Sequence, residues 1–390
     1  MSDAVSDRPS FVAMCAYFLR LGLIGFGGPP AHIALMRREL VEGRRWLNAE
    51  QFNADLSTAN LLPGPTSTEM TIYTGQRLHG MAGAIAAGVC FILPAFVLVT
   101  LIAVAYVANG NAAWLAALLY AVKPVALALV VSGVLQLGKP VAANAREAGV
   151  FFAGLAALLF TKADVLSVFV AGGVLYVALV QGRKWLKGID ASPLFAPTAQ
   201  APLAAAWSAW NRATEAAPVL LIFWTFLKIG ALIYGGGFAL IGVLQQLLVA
   251  DLGWLSQTQL LDGIAIGQST PGPVFTTAAF IGYLVGGLPG AAVATLGIFA
   301  PAFVFVILEN ALFGRIKNAP VFRNFLKGVN SAVVASLVLA TAQLGGSALP
   351  DVFTIAVAIG AFALTHWKNI GAHWLVGAAL LIGLTRLAVS

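Results

Sequence analysis

The stretch Asn60-Leu61-Leu62-Pro63-Gly64-Pro65 recurs in the second half as Gln268-Ser269-Thr270-Pro271-Gly272-Pro273, and each copy lies in apolar sequence where proline and glycine break a helix. Each is preceded by a glycine-rich break: Gly25-Phe26-Gly27-Gly28-Pro29-Pro30 in the first half, Tyr234-Gly235-Gly236-Gly237 in the second. A duplicated pair of helix breaks is the pattern of a membrane transporter, whose binding site is built from discontinuous helices.

The match extends well beyond the breaks. Phe18-Leu19-Arg20 falls on Phe226-Leu227-Lys228, Gly27-Gly28 on Gly235-Gly236, and Trp46-Leu47 on Trp254-Leu255. After a one-residue slip Gly75 meets Gly282, Gly80 meets Gly287, and Pro94-Ala95-Phe96 meets Pro301-Ala302-Phe303. The register then runs through Val122-Lys123 over Val329-Asn330 to Gln136-Leu137-Gly138 over Gln343-Leu344-Gly345.

Composition sets the class. With 60% apolar and 9% charged residues over 390 positions, the chain cannot wrap a polar exterior around one water-soluble core. It reads as an all-α polytopic membrane protein. Asp3, Asp7 and Arg8 precede the first apolar run without a basic n-region or cleavage site, so the N-terminus reads as mature sequence. Cys15 and Cys90 lie in separate apolar segments without metal-ligand spacing and read as packing residues. The formal charge of +7 reflects loop asymmetry and not a nucleic-acid partner.

Spanning segments are expected at roughly 11–35, 82–108, 112–137, 148–161 (a short one) and 164–181, with counterparts at roughly 216–245, 289–312, 328–346, 351–366 and 371–388. The Pro-Gly-Pro regions, roughly 50–79 and 257–286, either cross or dip in and return. As returning hairpins they put sixteen of the 22 Lys and Arg on one face and three on the other; as crossings they give ten against nine. Because cytoplasmic loops collect basic residues, the re-entrant hairpin is expected. Each repeat then has about five spans plus a hairpin, the second is inverted relative to the first, and both termini lie outside. The repeats are bounded as 1–187 and 216–390, joined by a cytoplasmic linker at 188–215 that carries Asp190, Pro193 and Pro197. Its stretch Leu203 to Trp210 is either plain connector or an interfacial helix.

Irregular backbone at membrane depth must be buried in protein or line a wet cavity. Pro65 and Pro273 suit the first position of a helix, leaving free amides around Thr66-Ser67-Thr68 and Val274 to Thr277 aimed at the tip. Such helix starts attract anions, and the hydroxyls of Thr66, Ser67, Thr68, Thr276 and Thr277 add donors. The alternative is a proline-capped turn packed against protein. Arg20, Lys228 and Lys123 are the intramembrane cations; Arg20 and Lys228 are equivalent in the repeat and flank a central site or snorkel to an interface. Glu69, one turn past the first tip, is a candidate proton carrier or the static ion-pair partner of Arg20 or Lys123. Asp55 and Asp262 fall on the incoming hairpin arms as hairpin-base residues. His32 contacts substrate or is a hydrogen-bonded structural residue, while His79, His366 and His373 read as loop or interface residues. No His-Glu-x-x-His, Gly-x-Ser-x-Gly or phosphate-binding glycine loop is present, so neither enzyme chemistry nor a cofactor is expected, and energy would come from ion gradients or exchange.

Phe26-Gly27-Gly28-Pro29-Pro30-Ala31-His32, Trp46-Leu47, Leu62-Pro63-Gly64-Pro65-Thr66-Ser67-Thr68-Glu69 and Phe91-Ile92-Leu93-Pro94-Ala95-Phe96 together resemble the chromate ion transporter family, in its long two-domain form. The second half keeps Gly-Gly and Thr-Pro-Gly-Pro but has Gly237 in place of Pro29 and fewer hydroxyls after the tip. The resemblance implies efflux of chromate across the bacterial plasma membrane, giving resistance. The residues alone reach only an oxyanion, since chromate and sulfate are both tetrahedral dianions. The substrate-binding set expected on both grounds is Gly27, Gly28, Pro63, Gly64, Pro65, Thr66, Ser67 and Thr68 with Gly235, Gly236, Pro271, Gly272, Pro273 and Thr276, joined by Arg20, Lys123 and Lys228. Expected partners are the oxyanion, the bilayer and protons as coupling ion, with a homodimer left open. A passive anion channel and a membrane scaffold are the competing classes.

Overall fold

The computed structural model describes residues 8–110, 112–161, 163–188, 218–234, 237–309, 319–368 and 370–389. The linker beyond residue 188, both chain ends, Gly235 and Gly236 therefore lie outside the described residues, and so does any interfacial helix at 203–210. Among the described residues the fold is all helical and two-repeat. The first half contains α1 (Phe11–Ile24), α2 (Gly28–Met36), α3 (Ala49–Ala59), α4 (Thr66–Ala108), α5 (Ala113–Ala142), α6 (Ala145–Phe160) and α7 (Val165–Gly188). The second contains α8 (Pro218–Leu232), α9 (Gly237–Leu244), α10 (Gln257–Ser269), α11 (Thr277–Ile307), α12 (Pro320–Ala348), α13 (Val352–Lys368) and α14 (Ala372–Val389).

The correspondence holds down to caps and kinks. A π-helical turn closes α2 at Arg37–Gly43, and another closes α9 at Gln245–Asp251. Reciprocal capping boxes start α3 (Asn48 with Gln51) and α10 (Ser256 with Gln259). Inside α4, His79 (φ −139°, ψ 23°) and Gly80 (φ 63°, ψ −149°) break the helix; Gly286 (φ −141°, ψ 22°) and Gly287 (φ 62°, ψ −153°) break α11 with nearly the same torsions. Gly80 and Gly287 supply the left-handed φ that a residue with a Cβ adopts only under strain.

These kinks fold the helix after each Pro-Gly-Pro tip back on itself. The backbones of Gly75 and Gly83 touch, and so do those of Gly282 and Gly290, although a straight helix would hold residues eight apart about 12 Å from each other. The 43-residue α4 is therefore two arms, Thr66 to Leu78 and Met81 to Ala108, folded back at His79-Gly80. Arg77 reaches back to Asp55 on α3 through bonds of 2.5 and 2.6 Å, an ion pair that requires α3 and the first arm to lie side by side. Asp55 is thus a tie within its own hairpin. Each hairpin arm, at most about 20 Å long, is too short for a hydrocarbon core of about 30 Å.

Five described helices are long and apolar enough to cross a membrane: Thr66–Ala108, Trp114–Ala142, Val165–Gly182, Val274–Ile307 and Pro320–Ala348. Exposed Leu93, Val97, Leu101, Leu296 and Val304 give the long arms of α4 and α11 an apolar outer face suited to lipid. The packing exchanges elements between halves. α1 packs on α4 as α8 packs on α11, and α4 and α11 pack on each other. α5 is held by α13 and α14 of the second half, while α12 is held by α6 and α7 of the first. Close approach at these joints explains several glycines: a Cβ at Gly22 would lie 2.5 Å from the Phe91 carbonyl, and its counterpart Gly230 abuts Ile298 in the same way. Cys15 and Cys90, distant in sequence, come together because α1 and α4 pack, and both are free thiols.

Candidate functional site

A recess of about 770 Å³ opens where the broken helix and tip of the first repeat face those of the second. Gly27, Gly28, Asn60, Gly64 and Thr66 form one wall, and Tyr234, Gly237, Gln268 and Val274 form the other. α5 supplies Leu129 and Gln136, and the α13–α14 turn supplies His373. None of the described lining residues is Lys, Arg, Asp or Glu. The polar groups it offers are neutral dipoles and a helix start.

The helix start is that of α4. Pro65 sits at the cap and not at the first helical position, with φ −81° and ψ 95°, and its carbonyl takes the amides of Thr68 and Glu69 at 2.8 and 3.1 Å. Pro273 caps the second tip in the same extended conformation, which correctly accommodates a residue lacking N–H just outside the helix. The amides of Thr66 and Ser67 have no carbonyl available within the helix. In the turn behind Gly64 and Thr66, the hydroxyls of Ser67 and Thr68 and both carboxyl oxygens of Glu69 are fully buried without a hydrogen-bond partner. Each such atom costs about 1–3 kcal/mol. A run of this kind in a stable fold marks a place where a ligand or a rearrangement supplies the missing partners. Glu69 reaches the tip itself, since a Cβ on Gly64 would lie 2.6 Å from its Oε1.

The second tip is built differently. Its helix begins as a tight 3-10 turn, Val274–Thr276, and the hydroxyls of Thr276 and Thr277 donate to the carbonyls of Pro273 and Val274 at 2.7 and 2.8 Å. Those hydroxyls were expected as ligand donors and are instead spent on their own backbone. Pro271, Gly272 and Pro273 are buried against the first repeat; the Gly272 amide donates to the Gly25 carbonyl at 2.8 Å. His32 takes the structural reading, its Nε2 donating to that same carbonyl at 2.8 Å.

The three cations do not meet at the cavity. Arg20 is exposed and pairs with Glu39 at 3.4 Å. Lys228 is half-buried on α8 in the field of Asp164. Lys123 pairs with Asp262 at 3.6 Å, so Asp262 is buried and engaged rather than solvating a hairpin base. With its two possible partners occupied elsewhere, Glu69 forms no static ion pair. Of the residues expected at the first tip and break, Gly27, Gly28, Gly64 and Thr66 line the recess, while Ser67 and Thr68 lie buried in the turn behind it. Asn60, Gln136, Tyr234, Gln268 and His373 were not anticipated as lining groups. Gln136 had a visible signal, an uncharged polar residue deep in an apolar span and repeated at Gln343.

The profile of the Chromate transporter family matches residues 12–177 and again 220–384. The chain is 34% identical over 388 residues to a chromate transport protein of Cupriavidus metallidurans, covering 98% of this chain and 95% of that one. It is 33% identical to a chromate transport protein of Pseudomonas aeruginosa (94% and 90% covered) and 30% identical to a probable chromate transport protein of Synechococcus elongatus (92% and 90%). No solved structure matches the chain. A duplicated family profile, full-length relatives and a doubled helix-break architecture agree: this chain is a member of the chromate transporter family.

Proposed function

We propose that this chain exports chromate across the bacterial plasma membrane by alternating access, giving chromate resistance, with sulfate as the closest competitor. The single observation that carries the reading is the unpartnered polar first turn of α4 against a cavity between the two repeats. A tetrahedral dianion brings the acceptor oxygens that the amides of Thr66 and Ser67 and the hydroxyls of Ser67 and Thr68 lack. In a water-poor site these donors act strongly without a formal positive charge, and the helix start contributes its own dipole.

Glu69 is the proton carrier in this reading. A carboxylate behind the tip repels a dianion in front of it, so loading is favoured when Glu69 holds a proton; the dianion and that proton leave together as one net negative charge, which the membrane potential, positive outside, drives outward. The hairpins are re-entrant, the second repeat is inverted, and both termini face outside, as the basic-residue asymmetry supports. Of the two tip-to-break joints, Gly272 to Gly25 is the fixed pivot and Tyr234 to Asn60 the contact that opens as access switches.

The test is chromate accumulation by inside-out vesicles with and without a proton gradient, with sulfate as competitor. Gradient-dependent, saturable accumulation is expected. Uptake no greater than in vesicles lacking the protein, with the protein present and folded, would overturn chromate export; uptake that never exceeds equilibration would turn the reading to a passive channel.

A further inference from the structure

A second recess, about 280 Å³, is lined by Tyr106, Lys123, Thr258 and Asp262. It lies farther along the same two helices that line the large cavity: α5 gives Lys123 to one and Gln136 to the other, α10 gives Asp262 to one and Gln268 to the other. Lys123 and Gln136 are about 20 Å apart along α5. Val125 and Ala126 on α5 and Ile264 and Ala265 on α10, which come between the two sets of lining residues along these helices, are buried and apolar. The two recesses thus share the same pair of helices.

The charges in the small recess are held loosely. Asp262, 1% exposed, receives the Tyr106 hydroxyl on Oδ2 at 2.9 Å, while its Oδ1 accepts no hydrogen bond. Lys123 Nζ stands 3.6 Å from that Oδ1, within ion-pairing range and too far for a hydrogen bond. Nothing in the repeat requires this pair. Asp55, on the corresponding arm of the first repeat, is satisfied by Arg77 within its own hairpin, and the counterpart of Lys123 is Asn330. A part-exposed cation and a buried anion that decline their best geometry, at the wall of an open recess, leave the cation able to exchange partners.

We propose that the small recess is a second oxyanion subsite at the far end of the transport route, where Lys123 receives the tetrahedral dianion and Asp262 holds Lys123 while the subsite is empty. The assignment rests on the transport reading above. The Thr258 hydroxyl stands in the same wall as a further donor, while that of Tyr106 stays on Asp262. Arrival of the dianion draws Lys123 from Asp262; departure restores the pair, so the subsite empties without leaving the lysine unpartnered.

The experiment counts chromate bound per chain at saturation, by equilibrium dialysis of the full-length protein in lipid nanodiscs. Two chromates per wild-type chain are expected, one in Lys123→Gln, and two again in Lys123→Arg. Asp262→Asn, which removes the internal competitor, is expected to tighten the second binding step about tenfold. A Ser67→Ala/Thr68→Val chain should lose the other chromate and keep the one at Lys123. One chromate per wild-type chain, lost in the Ser67/Thr68 variant and kept in Lys123→Gln, would overturn the subsite and leave the transport reading standing. Loss of both chromates in a Lys123→Gln chain with unchanged thermal unfolding would also overturn it, and no bound chromate in the wild-type chain would remove both readings.

Discussion

The amide of Gly272 donates to the carbonyl of Gly25 over 2.8 Å, so the tip of the second repeat is pinned by its backbone to the broken helix of the first. The reciprocal joint is made by a side chain: the Tyr234 hydroxyl donates to the Asn60 carbonyl at 2.7 Å, at the edge of the large cavity. The buried joint has no room for adjustment. The bordering one can open by rotation of a single ring.

Gly272→Ala tests the buried joint. A Cβ there would lie 2.7 Å from the Cβ of Ala95, and φ of 89° adds left-handed strain of about 1–2 kcal/mol. Chromate accumulation in vesicles should fall at least tenfold while the protein still reaches the membrane. Gly64→Ala, with φ of 140° and the Glu69 carboxyl in its way, should fall comparably.

The two tips should respond unequally to loss of hydroxyls. Ser67→Ala and Thr68→Val remove unpartnered donors and should raise the KM for chromate several-fold each, with kcat less affected. Thr276→Val and Thr277→Val remove hydroxyls already bonded to their own backbone and should shift KM by less than twofold. Equal effects at both tips would contradict the asymmetric site.

Proton linkage through Glu69 has a definite sign. If loading needs the protonated acid, inhibition of chromate transport by sulfate, a dianion at every pH used, should weaken as pH rises in the wild type. Glu69→Gln fixes the neutral state, so sulfate inhibition should become flat with pH and accumulation should no longer follow the proton gradient. A variant that keeps the wild-type pH profile would remove Glu69 from coupling.

Arg45 is the one described non-glycine residue with a positive φ, 54°, and its counterpart in the second repeat is Gly253 at 62°. The turn demands the left-handed region in both halves. Arg45→Gly should relieve about 1 kcal/mol of strain and raise the thermal unfolding midpoint of the purified protein.

The halves, their breaks and the Pro-Gly-Pro hairpins were legible because a duplicated sequence prints every break twice. The α4 reversal was implied by Gly80 over Gly287. The cations were misplaced for a reason the sequence also contains. On α1 the buried stripe is Met14, Tyr17, Phe18 and Leu21, and Arg20 falls off it; on α8 the stripe is Ile222, Thr225, Phe226 and Ile229, and Lys228 falls off it equally. Equivalence in the repeat made the pair look central, whereas helical phase puts both residues off the packed face. The engagement of Lys123 with Asp262 had no such signal, since it joins the two repeats and has no duplicate.

The matching π turns at Arg37–Gly43 and Gln245–Asp251 carry history as well as geometry. Such turns are rare and strained, and two separate origins at the same register are improbable beside a single one. The turn therefore predates the duplication, and the ancestral gene encoded one repeat with its broken helix and tip already formed. In this chain neither tip closes on the break of its own repeat: the second is pinned to Gly25 and the first to Tyr234, so each half is completed by the other.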